Sequence, residues 1–423
     1  MSAEPPSKDS FELTHRGPAP DGVPMAFTES QVMLTLAGLA YRGFHDLLHG
    51  RSHTDSVQRA VLDGLHTLAP VRGEWTLVWG PVTSRSGPDL FDAAAMYVVQ
   101  SRREPTRYVV AIRGTNPIAA SDWLLGDFWV GTTVPWPYAP AADAVALSAS
   151  AALGLSKLQA LRSPRIALEP AADADARPVD PSVLADQIAG IDASWQRLAS
   201  EPTMWLRDQV ERLKRATALR WAILRPRSQP APGDDAALDL LGFLGDEARA
   251  AEGPLDVAVT GHSKGGALAP VVALWLQELL VSPDAAERWD GERGARVSCH
   301  AFAGPTPGNA RLADRIDRVL GAGHHHLRNA NDVITHAWQI DELEAIPSLY
   351  APRGATLERL IRLIVEKTRA LDYRQTQVGV TTFAGPLDAS RSFASELVHQ
   401  HLEAYLAELR LLEAGVRPLA LFF

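Results

Sequence analysis

Apolar residues Val32, Leu34, Leu36, Leu39 and Tyr41 recur along 29–48, behind the polar start Thr28-Glu29-Ser30. That pattern predicts an amphipathic helix. Residues 75–79, 94–101 and 108–113 are rich in β-branched and aromatic side chains between Gly, Pro and Arg breaks, and read as strands. Tyr108-Val109-Val110-Ala111-Ile112 is apolar throughout, as a strand covered on both faces would be. From residue 236 onward the pattern alternates. A helix over 236–251, a buried strand over 255–260, a long helix over 265–280 and a strand over 296–303 come first. A helix over 310–320, a strand over 325–329, a helix over 357–371 and a last helix reaching about 413 follow. Alternation of this kind predicts an α/β fold with a mostly parallel central sheet flanked by helices.

Two stretches depart from that pattern. Residues 1–28 contain Pro5, Pro6, Pro18, Pro20 and Pro24 and read as a flexible lead. Residues 131–235 combine Ala-rich runs with breaks at Pro164, Pro170, Pro178, Pro181, Pro226, Pro230 and Pro232, around helical patterns at 183–198 and 205–224. The expected organisation is one domain over 29–423, interrupted by a helical cap or lid at 131–235. Six of the 11 tryptophans (Trp123, Trp129, Trp136, Trp195, Trp205, Trp221) fall in or beside that insertion. They would serve as core anchors of a cap, or as contacts to a lipid interface.

Charge removes several function classes. The 423 residues carry 41 Lys+Arg against 50 Asp+Glu, a net charge of −9, which is not the footprint of a nucleic-acid binder. A single cysteine, Cys299, cannot form an intrachain disulfide. The first thirty residues hold no apolar core of signal-peptide length, so a cytoplasmic location is expected, with signal-independent export as the alternative. The longest apolar stretch, 268–281, is interrupted by Gln277 and Glu278 and is too short for a transmembrane segment. The run His324-His325-His326 lacks acidic or cysteine partners at ligand spacing and is read as strand side chains, with no metal and no cofactor expected.

Gly261-His262-Ser263-Lys264-Gly265-Gly266 stands between a buried strand and a helix, the context required of a G-x-S-x-G nucleophile elbow. Chance alone supplies about 0.1 copies of this pattern in a chain of this size, before that context is demanded. A serine hydroxyl needs a histidine base oriented by a carboxylate, and on such a sheet these follow in the order Ser, Asp/Glu, His. The best acid is Asp332, just after a short strand. Beyond it lie His336, too close to reach across, and His399 and His401 at the start of the final helix. A helical wheel puts these last two on opposite flanks of Val398, Leu402, Tyr405 and Leu409, and does not choose between them.

Together these segments resemble the class 3 (fungal-lipase-like) lipases. Val110-Ala111-Ile112-Arg113-Gly114-Thr115 with Asp122-Trp123 and Asp127 is similar to that family's RGT…DW…D region. The elbow, the Pro305-Thr306-Pro307-Gly308-Asn309 turn, the run from Asn329 to His336 and a histidine followed by Leu402 and Tyr405 come in the family's order. The resemblance covers about 29–130 and 236–415. It implies Ser263 as nucleophile, Asp332 as orienting acid and His401 as base. It also implies an oxyanion hole from Thr115 and the backbone N–H of Lys264. Lysine stands where the family more commonly has leucine, and the histidine–tyrosine spacing differs, which keeps His399 as the alternative base. The long insertion transfers no substrate information. The expected activity is serine-dependent hydrolysis of lipid-like carboxylic esters, with a lipid interface as a candidate contact. An acyltransferase or phospholipase-type effector, or a silent hydrolase-fold binding module, is the alternative.

Overall fold

The computed structural model describes residues 15–18, 24–42, 53–83, 95–114, 130–172, isolated positions within 182–193, and 237–422 except 283, 285–287 and 351–354. The chain begins with a hairpin, β1 (His15–Pro18) and β2 (Pro24–Phe27), then α1 (Glu29–Leu39) and α2 (His53–Thr67). Three strands follow: β3 (Trp75–Thr83), β4 (Ala95–Ser101) and β5 (Arg107–Ile112). Next come β6 (Thr133–Pro135), β7 (Ala146–Ser148), α3 (Ala149–Ala160), β8 (Ser163–Leu168) and β9 (Ala237–Leu238). The series β10 to β12 is built from α4 (Leu240–Ala250), β10 (Asp256–His262), α5 (Lys264–Leu280), β11 (Arg296–Phe302), α6 (Ala310–Leu320) and β12 (His324–Asn329). The chain closes with α7 (Ile340–Ala345), α8 (Ala355–Thr368), β13 (Val380–Phe383), α9 (Phe393–Val398), a π turn (His399–Glu403), α10 (Ala404–Glu408) and α11 (Pro418–Phe422).

Nine strands form one sheet in the order β13-β12-β11-β10-β5-β4-β3-β8-β9. From β5 through β10, β11 and β12 to β13 the pairings are parallel; from β5 outward through β4, β3, β8 and β9 they are antiparallel. The parallel half is what a chain must build when each strand is followed by a crossover helix. Every residue of β5 is buried, and its side chains alternate between two cores. Val110 and Val259 join Leu268, Val272, Trp275, Phe243 and Ile316 on the α3–α6 face. Val109, Ala111 and Ala258 join Val32, Leu36, Val61, Tyr405 and Phe422 on the α1, α2 and C-terminal face. Full burial of one such side chain contributes roughly 1.5–3 kcal/mol. A third, smaller core gathers Val333, Ile334, Trp338, Leu343, Ile361 and Leu397 around α7, α8 and α9.

Two regions expected to lie outside the sheet pattern contain strands. The lead is not featureless, because His15–Pro18 and Pro24–Phe27 pair antiparallel, with Pro18 opposite Pro24. Proline lacks an N–H to donate but tolerates the ends of a two-stranded ribbon. The first part of the expected insertion carries strands as well as a helix. β6 and β7 pair, α3 packs on α5, and β8 adds to β3 as a further strand of the main sheet. Trp136 explains part of this. It is buried, and its indole N–H donates to Glu278 of α5 at 2.7 Å, while Glu278 also meets Arg315 of α6. The helical pattern at 205–224 lies outside the described residues. Helix α1 is capped at Thr28, whose hydroxyl accepts from Gln31 N–H while the Gln31 side chain returns to Thr28 N–H at 2.7 Å.

Candidate active site

β10 ends at the sheet's C-terminal edge and turns directly into α5 at Ser263, which holds φ 61° and ψ −127°. Only sparse backbone space is available to a residue with a Cβ there, and the surrounding structure must enforce it. The enforcement is steric. A Cβ at Gly261 would stand 2.2 Å from Gly265 O, and one at Gly265 would stand 2.4 Å from Ile112 O. The turn can therefore press against β5 only with glycine at both positions. Ser263 N–H donates to Phe302 O at 2.9 Å, which ties the elbow to β11. The Ser263 side chain is 1% exposed, and its hydroxyl meets no hydrogen-bond partner among the described residues. Lys264 is the first residue of α5, so its N–H is one of those at a helix start with no intrahelical acceptor, in partial positive charge.

Asp332 follows β12 and caps a short 3₁₀ turn, Val333–His336. It is fully buried, and both carboxylate oxygens are engaged. Oδ1 accepts from Ile334 N–H at 3.0 Å; Oδ2 accepts from His401 Nδ1 at 2.8 Å and from the Tyr405 hydroxyl at 3.1 Å. A carboxylate can only accept, so Nδ1 of His401 carries the proton and Nε2 is left as the basic nitrogen. The Tyr405 hydroxyl accepts in turn from Asn329 N–H at 3.0 Å. The Asn329 amide reaches Gln400 O at 2.9 Å and Gln400 Oε1 at 2.7 Å, and its oxygen accepts from Gly385 N–H at 3.0 Å. The π turn that carries His401 is thus fastened to β12 from several sides.

His262 joins the two halves. Its Nε2 lies 2.9 Å from His401 O, and its ring centroid is 4.6 Å from that of His401. A carbonyl only accepts, so Nε2 of His262 is protonated. Burial, with the His401 charge as a second cause, pushes its pKa well below the usual histidine value and keeps the ring neutral. Tyr41, on the chain just beyond α1, donates to His262 O at 2.8 Å and accepts from Gly114 N–H at 3.1 Å. Burial pushes its phenol pKa up.

Of the residues expected from sequence, Asp332 and His401 are in contact, and His401 abuts the residue preceding Ser263. His399 instead pairs with Glu403 at 3.1 Å. His336 points Nε2 at Ala330 O, 2.8 Å away. Thr115, with Asp122, Trp123 and Asp127, lies outside the described residues. Sequence reasoning did not single out the polar roles of Tyr41, His262, Asn329 and Gln400. Tyr41 registers in the pattern only as an apolar helix position, and nothing in the sequence reports that its hydroxyl bridges two loops.

A strand–Ser–helix elbow on a mixed sheet, with an Asp–His pair at the same sheet edge, defines an α/β-hydrolase. Residues 246–342 match the family model described as Lipase (class 3). The solved structure of M37 lipase is 25% identical, over 94% of this chain and 97% of that one, with a TM-score of 0.68. Lip2 lipase from Yarrowia lipolytica (11% identity, 93% and 96% covered, TM-score 0.34) and a Rhizomucor miehei lipase propeptide complex (14%, 80% and 77%, TM-score 0.35) also match. No curated protein matches the chain. Residues 246–342 are thus similar to the class 3 lipases, and the chain is a carboxylic ester hydrolase. Among the described residues, no helix is long and apolar enough to cross a membrane.

Proposed function

We propose that this lipase hydrolyses lipid-like esters through an acyl-enzyme on Ser263, with Asp332 orienting His401 as the base. The carrying observation is the 2.8 Å contact between His401 Nδ1 and Asp332 Oδ2, buried and docked on His262 beside the elbow. Nε2 of His401 takes the Ser263 proton as Oγ bonds to the ester carbonyl. It then gives that proton to the departing alkoxide as the C–O bond breaks. Water next attacks the acyl-serine, with its proton passing through the same nitrogen, and the acid leaves as Oγ is reprotonated. Charge growing on the carbonyl oxygen is stabilised by the Lys264 N–H and by Thr115. The insertion at 131–235 contributes to substrate access. In support, Ser148, Ser150 and Ala151 from its first part line a crevice together with Lys264 and Ala267 of the nucleophile helix.

The test is active-site labelling with a fluorophosphonate probe and hydrolysis of a short p-nitrophenyl ester. Both should vanish in Ser263→Ala, with the fold retained. Labelling that persists at another serine ends this reading.

A further inference from the structure

β5 and β10 run side by side in parallel register as far as Ile112 and Gly261, where their pairing ends. Beyond that rung the two chains lead into the reacting groups: Ser263 and Lys264 follow Gly261, and Thr115 follows Ile112. Lys264 N–H and Thr115 are read above as donors to one carbonyl oxygen, so their spacing has to be set by something other than the sheet ladder. The Tyr41 hydroxyl sits in that gap. It accepts from Gly114 N–H at 3.1 Å on the β5 side and donates to His262 O at 2.8 Å on the β10 side. A Cβ at Gly114 would stand 2.1 Å from the phenol oxygen and 2.6 Å from His262 O, so the two chains close directly on it. The Tyr41 ring is buried in T-shaped contact with Phe422 and His262, at centroid distances of 5.6 and 5.9 Å. Burial raises the phenol pKa and keeps its proton in place, while the Gly114 N–H, Arg113 and the Ser263 hydroxyl pull the other way.

We propose that Tyr41 is a positioning residue for ester hydrolysis: its hydroxyl is the last rung between β5 and β10, and it holds the arm that leads into Thr115 at a fixed distance from the Lys264 N–H. The proposal rests on the Ser263 reading above. A neutral phenol gives one proton and still accepts another, so a single oxygen serves a donor on one chain and an acceptor on the other. No contact with the substrate is asked of it. Tyr41→Phe removes that oxygen and keeps the ring, leaving the arm and the elbow without their shared tie. Misplacing a group by about 1 Å can cost on the order of 10² in rate while the rest of the ester is still bound. The oxyanion forms in acylation and again in deacylation, so the loss should fall on kcat rather than on KM.

The test is steady-state hydrolysis of p-nitrophenyl butyrate by Tyr41→Phe, together with inhibition by 1-butaneboronic acid, which forms a tetrahedral adduct on a serine hydroxyl. kcat should fall about ten- to hundredfold with KM within about threefold, and boronate affinity should fall by a comparable factor. A kcat within about threefold of the unaltered protein, a loss carried by KM, or a boronate affinity that is kept overturns the proposal and leaves the hydroxyl a packing group. Should Tyr41→Phe fail to fold, Tyr41→p-aminophenylalanine decides. Its amine still donates to His262 O but accepts poorly from Gly114 N–H, so the same loss of kcat is expected, and an unchanged kcat overturns the proposal. Fluorophosphonate labelling of the unaltered protein is read in parallel. An unlabelled Ser263 there refutes the reading beneath, whereas a labelled Ser263 with a fully active Tyr41→Phe refutes this inference alone.

Discussion

The nucleophile elbow and the acid–base corner lie at the same edge of one sheet, yet they are held by different means. Around Ser263 the constraint is backbone against backbone: glycines at 261 and 265 pressed within van der Waals range of Gly265 and Ile112, and a main-chain bond to Phe302. Around Asp332 and His401 it is side chain against side chain: Tyr405, Asn329 and Gln400 pass hydrogen bonds from β12 to the π turn. A steric mount tolerates no added atom and is indifferent to pH. A polar mount tolerates small changes of shape but depends on every donor meeting its acceptor. In the proposed mechanism the corner must let a proton come and go, and the elbow must only stay bent.

The largest effect separates strain from chemistry. Ser263→Gly should abolish esterase activity, a loss on the order of 10⁴–10⁶ in kcat. It should also raise the melting point, because glycine meets φ 61° without a Cβ clash and relief of such strain is worth roughly 1 kcal/mol. A lower melting point than that of the unaltered protein would show that the elbow is not strained. His401→Ala should match Ser263→Ala in activity, whereas His399→Ala should stay within about twofold, since His399 faces Glu403. The reverse result would exchange the two roles.

Gly265→Ala probes the steric mount. Its Cβ would have to displace Ile112 O on a central strand, so expression as folded protein should fail, or stability should fall by about 3 kcal/mol, as measured by urea unfolding. Tyr405→Phe probes the polar one. Asp332 Oδ2 would lose one of its two side-chain donors and Asn329 N–H its acceptor, so kcat should fall severalfold, with about 1 kcal/mol of stability lost. An unchanged kcat would make Tyr405 a packing residue.

One effect lies away from the site. His300 is buried, its pKa pushed down to about 3 by burial, while Glu29 pulls the other way. The fold refuses a proton that the unfolded chain accepts below about pH 6.5. Stability contributed by neutral His300 is therefore complete above that value. It falls by up to about 1.4 kcal/mol per unit as pH drops toward 3. Thermal melts of His300→Gln should show a shallower loss between pH 6 and 4 than those of the unaltered protein.

Strand and helix placement from β10 to β12 was legible because burial on both faces writes continuous apolar runs, and because glycines bracket the elbow wherever a strand turns sharply into a helix. Asp332 was legible through its motif. The choice between His399 and His401 was not, since it depends on a π turn that no periodicity of 3.6 announces. β8 went unseen for a related reason. Ser163-Pro164-Arg165-Ile166-Ala167-Leu168 carries a proline and an arginine and looks like a break, but it pairs along β3 in the outer, antiparallel half of the sheet. Short β13, half-exposed and four residues long, has too little pattern to stand out.

The chain leaves the sheet at Leu168 and returns at Ala237, with Pro164 and Ala237 side by side in adjacent strands. Whatever is strung between those points is attached like a handle, both of its ends fixed at one place on the frame. Because closing a loop costs only about 0.6 kcal/mol more for each doubling of its length, the frame is nearly blind to how long the handle is. A change in the length of that stretch therefore taxes the sheet little, and what a replacement must supply is the packing that Leu184 and Ile188 give to the second and third cores.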